Sequence, residues 1–175
     1  EVEASLLEPF AVNPDRLRDR RLFLASPDTV TELRIEHAGQ ILVIRDDGDG
    51  WHIREPVDWP ADPAAVRLIL ADLHALRARG FIDGTTSDGL AAAGLDPPDW
   101  RIRVTYGDDE SRELAIASVV KDDETRWATI DGGISIIAID DAALTGLRRQ
   151  GLMPLHYRDR TVLAVPAGSV WRLVR

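Results

Sequence analysis

The chain has 175 residues, no cysteine and a net charge of −9, with 21 Lys and Arg against 30 Asp and Glu. The lack of cysteine excludes a thiol nucleophile, a Cys-ligated metal centre and a disulfide framework. The acidic balance argues against binding to nucleic acid or to an anionic membrane surface, since both depend on clustered Lys and Arg. A composition of 45% hydrophobic and 29% charged residues is typical of a folded domain that buries its own core.

No part of this segment is predicted to insert into a membrane. Its most apolar stretch, residues 134–139, is far shorter than the ~20 residues that a bilayer requires. The chain starts at Glu1 rather than at Met, so we expect it to be a piece of a longer protein whose signal peptide or anchor is missing from it.

The first predicted elements are β-strands. Apolar and polar residues alternate on both sides of a turn within residues 31–46, which predicts a hairpin. A second turn at residues 46–50 leads into a short strand that carries Trp51 and Ile53.

The clearest predicted helix starts at Asp62 and Pro63. An Asp at the N-cap accepts backbone N–H bonds, and Pro fits the first helical position. Apolar residues at helical spacing predict one buried face, formed by Val66, Ile69, Leu70, Leu73 and Leu76. Gly80 predicts the end of this helix, and a shorter helix is expected over residues 87–93.

The second half of the chain is predicted to be mostly strands. These are residues 101–106, 111–119, 126–130 and 134–139, followed by a helix over 141–150 and two more strands within 161–175. Short hairpin turns imply antiparallel pairing. We therefore predict an α+β fold, with an antiparallel sheet or sheets built from hairpins and two or three helices packed on one face.

An internal repeat connects the two ends of the chain. Arg18, Asp19 and Arg20 recur as Arg158, Asp159 and Arg160, an offset of 140 residues. The flanks agree at the same offset, where Pro14 matches Pro154, Val30 matches Val170 and Leu33 matches Leu173.

We interpret residues 1–29 as the tail of a preceding repeat unit and its junction, 30–160 as one complete unit, and 161–175 as the opening strands of a following unit. The alternative is a chance coincidence in a chain rich in Arg and Asp.

The repeated Arg-Asp-Arg word has two interpretations. In the structural one, the Asp accepts backbone N–H bonds at a bend while an Arg pairs with it or caps a helix. In the functional one, the arginines bind an anion or a lipid headgroup. A word that recurs at domain junctions favours the structural interpretation.

Metal, catalytic and cofactor sites are not predicted. The acidic clusters, such as residues 46–49, fall at turns and helix starts, where Asp bonds to nearby backbone, and they lack the spacing of a calcium loop. The four histidines do not form a helical zinc pair, and no nucleophile or phosphate-binding motif is present. Packing explains most of the five tryptophans, but Trp59 and Trp100 flank prolines and are candidates for a partner surface.

These words together resemble family 4340 of the domains of unknown function. The resemblance runs from about Arg18 to Arg160 and includes the Gly-Trp-His-Ile strand at residues 50–53, the helix start at 61–63 and Gly-Leu-Asp-Pro-Pro at 94–98. It implies a bacterial domain on the outer side of the cytoplasmic membrane, held by an N-terminal anchor and often present in tandem copies. It also implies protein partners, namely the permease and auxiliary subunits of an ABC-type transporter, and no established catalytic residues.

Three functions follow as hypotheses. The first is a non-catalytic scaffold or interaction domain of the cell envelope, accessory to an ABC-type transport or gliding-like system. The second is a solute- or glycan-binding module, which needs a pocket lined by Trp and a few polar groups. The third, less favoured, is a hydrolase that uses two carboxylates.

Overall fold

A computed structural model describes residues 17–107, 110–122, 124–150 and 153–159 of the chain. Nine strands lie in this part of the chain: β1 (Val30–His37), β2 (Gln40–Asp46), β3 (Trp51–Glu55), β4 (Trp59–Pro60), β5 (Ala78–Ile82), β6 (Trp100–Tyr106), β7 (Ser111–Asp122), β8 (Thr125–Ile130) and β9 (Ile136–Asp140). They form one antiparallel sheet in the order β4-β3-β2-β1-β6-β7-β8-β9-β5. The predicted α+β class with an antiparallel sheet is therefore confirmed.

Within the same described ranges, four α-helical segments accompany the sheet: α1 (Pro63–Ala75), α2 (Ser87–Ala92), α3 (Thr145–Gln150) and the single turn α4 (Pro154–Tyr157). The longest is α1, with 13 residues. Among the described residues, no helix combines the length and hydrophobicity needed to cross a bilayer.

The first predicted hairpin is confirmed, and it lies in the middle of the sheet. Ala38 and Gly39 have φ values of 49° and 75°, the left-handed backbone that a tight hairpin turn requires. Ile35 pairs with Leu42 across the hairpin and with Ile102 of β6 on its other side. The local turn thus fixes one pairing, and a contact distant in sequence fixes the other.

The start of α1 is as predicted, but its end is not. Asp62 Oδ1 accepts the backbone N–H of Ala64 at 2.8 Å, which satisfies one of the free N–H groups of the first turn. The helix stops at Ala75, well before the predicted stop at Gly80. The residues after it form β5, whose Gly80 pairs with Ala138 of β9. Pairing with a strand that comes much later in the chain decides this boundary.

The last predicted helix is shorter and divided. A 3-10 turn over Ala142–Leu144 precedes α3. At its start, Asp140 Oδ1 accepts the backbone N–H of Ala142 at 3.0 Å. The single turn α4 was not predicted, and the two strands predicted within 161–175 lie outside the described residues.

The helices occupy both faces of the sheet, which corrects the prediction of a single face. The main core takes buried residues from α1, from the 3-10 turn with α3 and from one face of the sheet. A second cluster joins Leu95, just after α2, to Ala117 of β7 and Ile136 of β9. Ile116 belongs to the main core, whereas its neighbour Ala117 belongs to the second cluster. Successive strand residues point to opposite faces, so α2 packs on the face opposite α1.

Candidate functional site: the two Arg-Asp-Arg segments and their surroundings

The first Arg-Asp-Arg segment, residues 17–21, bends around Asp19. The Asp19 carboxylate accepts the backbone N–H of Arg21 at 2.9 Å and its guanidinium at 2.6 Å. These hydrogen bonds hold the pKa of Asp19 at about 2, below its ordinary value of 3.8. The carboxylate therefore stays charged and stabilises the bend, which is the chemistry that the structural interpretation of the word requires.

Side-chain and backbone contacts attach this segment to β5. The guanidinium of Arg18 lies 2.7 Å from the Asp83 carboxylate and 4.0 Å from the centre of the Phe81 ring. The carbonyl of Arg20 accepts the backbone N–H of Ala78 at 2.8 Å. The first segment is thus fixed at the C-terminal end of α1, where the helix gives way to β5.

The second Arg-Asp-Arg segment, residues 157–160, is fixed at the other end of α1. The carbonyl of Tyr157 accepts the backbone N–H of Asp62 at 2.5 Å, and the N–H of Asp159 donates to the carbonyl of Pro60 at 3.0 Å. The guanidinium of Arg158 lies 5.3 Å from the ring centre of Trp59. Arg160 lies outside the described residues.

The structure does not bring the two segments together. A helix of 13 residues separates them by about 20 Å. At the first segment, Arg18 forms an ion pair with Asp83, and Arg21 forms an ion pair with Asp19. A single anion site built from both words is incompatible with this arrangement.

The two tryptophans predicted to form a partner surface have different environments. Trp59 is half-buried, donates from Nε1 to the carbonyl of Asp159 at 3.4 Å, and follows Val57, whose side chain is 45% exposed. Trp100 is 7% exposed, and its ring stacks on that of His37 with centroids 4.0 Å apart. Trp100 therefore offers little surface to a partner, because β6 lies inside the sheet and this ring packs in the main core.

Sequence reasoning missed an open depression of about 640 Å3 next to Tyr106. Three separate parts of the chain line it: residues before β1, the end of β6 together with the start of β7, and Asp131 after β8. Its lining includes Arg112, which pairs with Asp131 at 3.1 Å and donates to the carbonyl of Leu22 at 3.2 Å. No local sequence motif predicts this depression, because its lining residues are distant in the chain and only the order of strands in the sheet brings them together.

An acidic turn between β2 and β3 groups Asp47, Asp49 and His52, with one potential ligand atom from each within 4.8 Å of the others. Asp46 Oδ1 accepts the backbone N–H of Gly48 at 2.9 Å, so the predicted turn chemistry is confirmed here. His52 Nδ1 lies 3.1 Å from the carboxylate of Asp47, which also accepts from the guanidinium of Arg54. The Asp47 carboxylate therefore has the Arg54 guanidinium as a cationic partner.

A half-buried ionic cluster fastens α3 to the sheet. Arg126 and Arg148 contact the Asp141 carboxylate at 2.5 and 2.7 Å. Burial alone raises the pKa of Asp141, but the hydrogen bonds from Arg148 and Arg126 outweigh it and hold this pKa below its ordinary value. Arg126 also donates to the carbonyls of Ala117 and Ser118 at the irregularity in β7. These contacts tie α3 to β7, β8 and the end of β9, so the cluster stabilises the packing of α3 on the sheet.

The fold and its surfaces define a small α+β domain with a nine-stranded antiparallel sheet, clamped at both ends of its main helix by the same short word. Residues 51–174 match the family described as Domain of unknown function (DUF4340), and the chain belongs to this family. The match begins at β3 and continues past the second Arg-Asp-Arg segment, so its limits differ from those of the resemblance noted above. A comparison with curated proteins and one with solved structures each found no match.

Proposed function

We propose that the chain is a non-catalytic interaction domain on the outer side of the cytoplasmic membrane, accessory to an ABC-type transport system. We further propose that it is one unit of a tandem arrangement. Its membership in the family supports the setting, and the surface around Trp59 supports the interaction.

The observation that carries the proposal is the pairing of Trp59 with Arg158, two residues along the chain from the exposed Val57. Trp and Arg are the residues most enriched at the energetic centres of protein interfaces. Val57, two residues before Trp59, is 45% exposed and presents an apolar side chain to solvent. We call Val57, Trp59 and Arg158 the Trp59 surface, and we propose that a transporter subunit binds there.

The test is a crosslinked capture of the full-length gene product from its native membranes, read by mass spectrometry. We expect the permease, its ATPase or an auxiliary subunit to be recovered. Val57→Glu should reduce that recovery several-fold, because it places a charge in the apolar contact. Leu68→Glu is the matched control, since Leu68 is an aliphatic residue of similar exposure (52%) on α1.

Two results would contradict the proposal. Recovery of the gene product at good yield without any transporter subunit would reject the accessory role. Equal recovery from the Val57 and Leu68 variants would reject the Trp59 surface as the contact.

Binding of a small solute is the second candidate, and the depression beside Tyr106 favours it. Its volume of about 640 Å3 is within the range of ligand sites. None of the tryptophans in the described residues lines it, which makes it a poor platform for stacking a sugar ring.

A thermal-shift screen with monosaccharides and amino acids tests this candidate. A true ligand should raise the melting temperature of the native chain and of Leu68→Glu but not that of Leu24→Glu, because the exposed Leu24 lines the depression.

A carboxylate hydrolase remains the less favoured alternative. Such an enzyme needs two acids about 5 to 9.5 Å apart in a cleft. In the depression, Asp131 Oδ1 accepts the backbone N–H of Glu113 at 2.8 Å, and Oδ2 accepts from Arg112. Both oxygens are engaged in holding the hairpin turn in place, which favours a structural role for this acid.

A further inference from the structure

Leu17 is exposed, whereas the residue that corresponds to it in the internal repeat is fully buried. At the repeat offset of 140 residues, Leu17 matches Tyr157. The side chain of Leu17 is 78% exposed, whereas Tyr157 is 0% exposed. The hydroxyl of Tyr157 has no hydrogen-bond partner in the described part of the chain, so the pocket around it uses the side chain as an apolar group. A leucine has the same apolar character.

The second Arg-Asp-Arg segment shows how such a side chain is seated. Its backbone pairs with the residues just before α1, through an antiparallel bridge between Arg158 and Ala61 and hydrogen bonds on either side of it. This pairing carries Tyr157 against the start of α1, where the two helices α1 and α4 are in contact.

The first Arg-Asp-Arg segment pairs through a later part of the same word. Here the bridge joins Arg21 to Arg77, and the carbonyl of Arg20 accepts the N–H of Ala78. After subtracting the repeat offset of 140, the carbonyl and the bridge residue of the first segment each come three positions later than their counterparts in the second segment. A single Arg-Asp-Arg segment therefore has one set of backbone groups that can pair with the start of α1 in one unit and a second set that can pair with the end of α1 in another unit.

We propose that the Arg-Asp-Arg word is a two-sided joint between successive units. Its first half, led by Leu17, seats on the start of α1 in a preceding copy of this unit, as Tyr157 does in the structure. Its second half, from Arg20 onward, clamps the end of α1 in the unit that follows. The inference rests on the tandem arrangement in the proposed function.

The first test transplants the joint within this chain. Leu155→Asp, His156→Arg and Tyr157→Leu together place the sequence of residues 15–17 at the second segment. We expect cooperative unfolding, a melting temperature lowered by about 10 °C or less, and retained hydrogen-exchange protection of the Asp62 amide. The control has the same composition in another order, with Leu155→Asp, His156→Leu and Tyr157→Arg, and should lose that protection. Equal loss in both variants would overturn the proposal.

The second test compares one substitution in two contexts. In the 175-residue chain, Leu17→Asp should leave the melting temperature unchanged, because the side chain is already exposed. In the full-length gene product it should lower the melting temperature by several degrees, whereas Leu68→Asp should not. Equal effects of the two substitutions in the gene product, or a gene product with no preceding unit, would contradict the joint.

Neither test depends on a transporter, so the two proposals fail separately. Capture of a permease together with a failed transplant rejects the joint and leaves the accessory role intact. A successful transplant without capture of a transporter subunit rejects the accessory role and leaves the joint intact.

Discussion

At the scale of single residues, short polar side chains decide the bends of this chain. Asp19 and Asp46 each accept the N–H of the residue two positions later, and Asp62 and Asp140 do the same at the starts of helical turns. This chemistry is local, so the sequence alone indicates where it occurs. Burial is different: Trp59 and Trp100 have similar neighbours in sequence, but only Trp100 is in the core.

The ionisation of Asp19 provides a prediction at this scale. Its carboxyl should titrate with a midpoint of about 2 in a carbon-detected NMR titration, because Arg21 hydrogen-bonds to the charged form. Arg21→Gln should move that midpoint up towards 3.8, the ordinary value for Asp. Arg20→Gln is the control and should leave it in place. A midpoint near 3.8 in the native chain would show that the Asp19–Arg21 pair does not form in solution.

At the scale of elements, α1 is the best-predicted part of the molecule at one end and the worst at the other. Its start depends on Asp62 and Pro63, which act on adjacent backbone. Its end depends on β5, which forms because β9 offers a free edge, with partner residues 54 to 61 positions later in the chain. The alternation of apolar and polar residues in β5 is short, and it contains Gly80. The sequence alone therefore does not distinguish the end of a helix from a short strand here.

Removing the cap of α1 should have a moderate effect. Asp62→Ala leaves the Ala64 N–H without its acceptor and should lower the free energy of unfolding by about 1 kcal/mol, measured by urea denaturation. Asp58→Ala is the control, because Asp58 forms an exposed ion pair with Arg54, a type of contact that contributes little. Similar losses in both variants would indicate that Asp62 does not act as a cap.

A charge on the buried face of α1 should have a large effect. Leu73 is 2% exposed, and Leu73→Asp would bury a carboxylate without a partner, at a cost of about 3 kcal/mol or more. Leu68→Asp on the exposed face of the same helix should change stability by less than about 0.5 kcal/mol. Circular dichroism during thermal unfolding measures both, and a native-like melting temperature for Leu73→Asp would refute the packing of α1.

At the scale of the whole molecule, ionic contacts connect segments that lie far apart in the chain. Arg18 reaches Asp83 at the end of β5, and Arg126 with Arg148 holds Asp141 between the sheet and α3. The carboxyls of Asp19, Asp83 and Asp141 all have pKa values below the ordinary value. Such groups stabilise the folded chain when they are charged.

This predicts a loss of stability in acid. A carboxyl with a lower pKa in the folded chain than in the unfolded one stabilises the fold above its unfolded pKa, and this contribution is lost as the pH falls through the folded pKa. The melting temperature should therefore decrease as the pH falls from about 4 towards 2. Asp141→Asn should melt lower than the native chain at pH 7 and show a weaker dependence on pH. A melting temperature that rises over this acid range would contradict the assignment.

The sequence by itself determined the hairpins, the start of α1, the α+β class and the family, because turns, caps and alternating hydrophobicity depend on neighbouring residues. Tertiary structure alone decided that β5 pairs with β9, that α2 packs on the face opposite α1, and that Trp100 is buried. It also decided that the two Arg-Asp-Arg segments clamp opposite ends of one helix. Each of these features is a contact between residues distant in the chain, and only the packing of the whole sheet selects its partner.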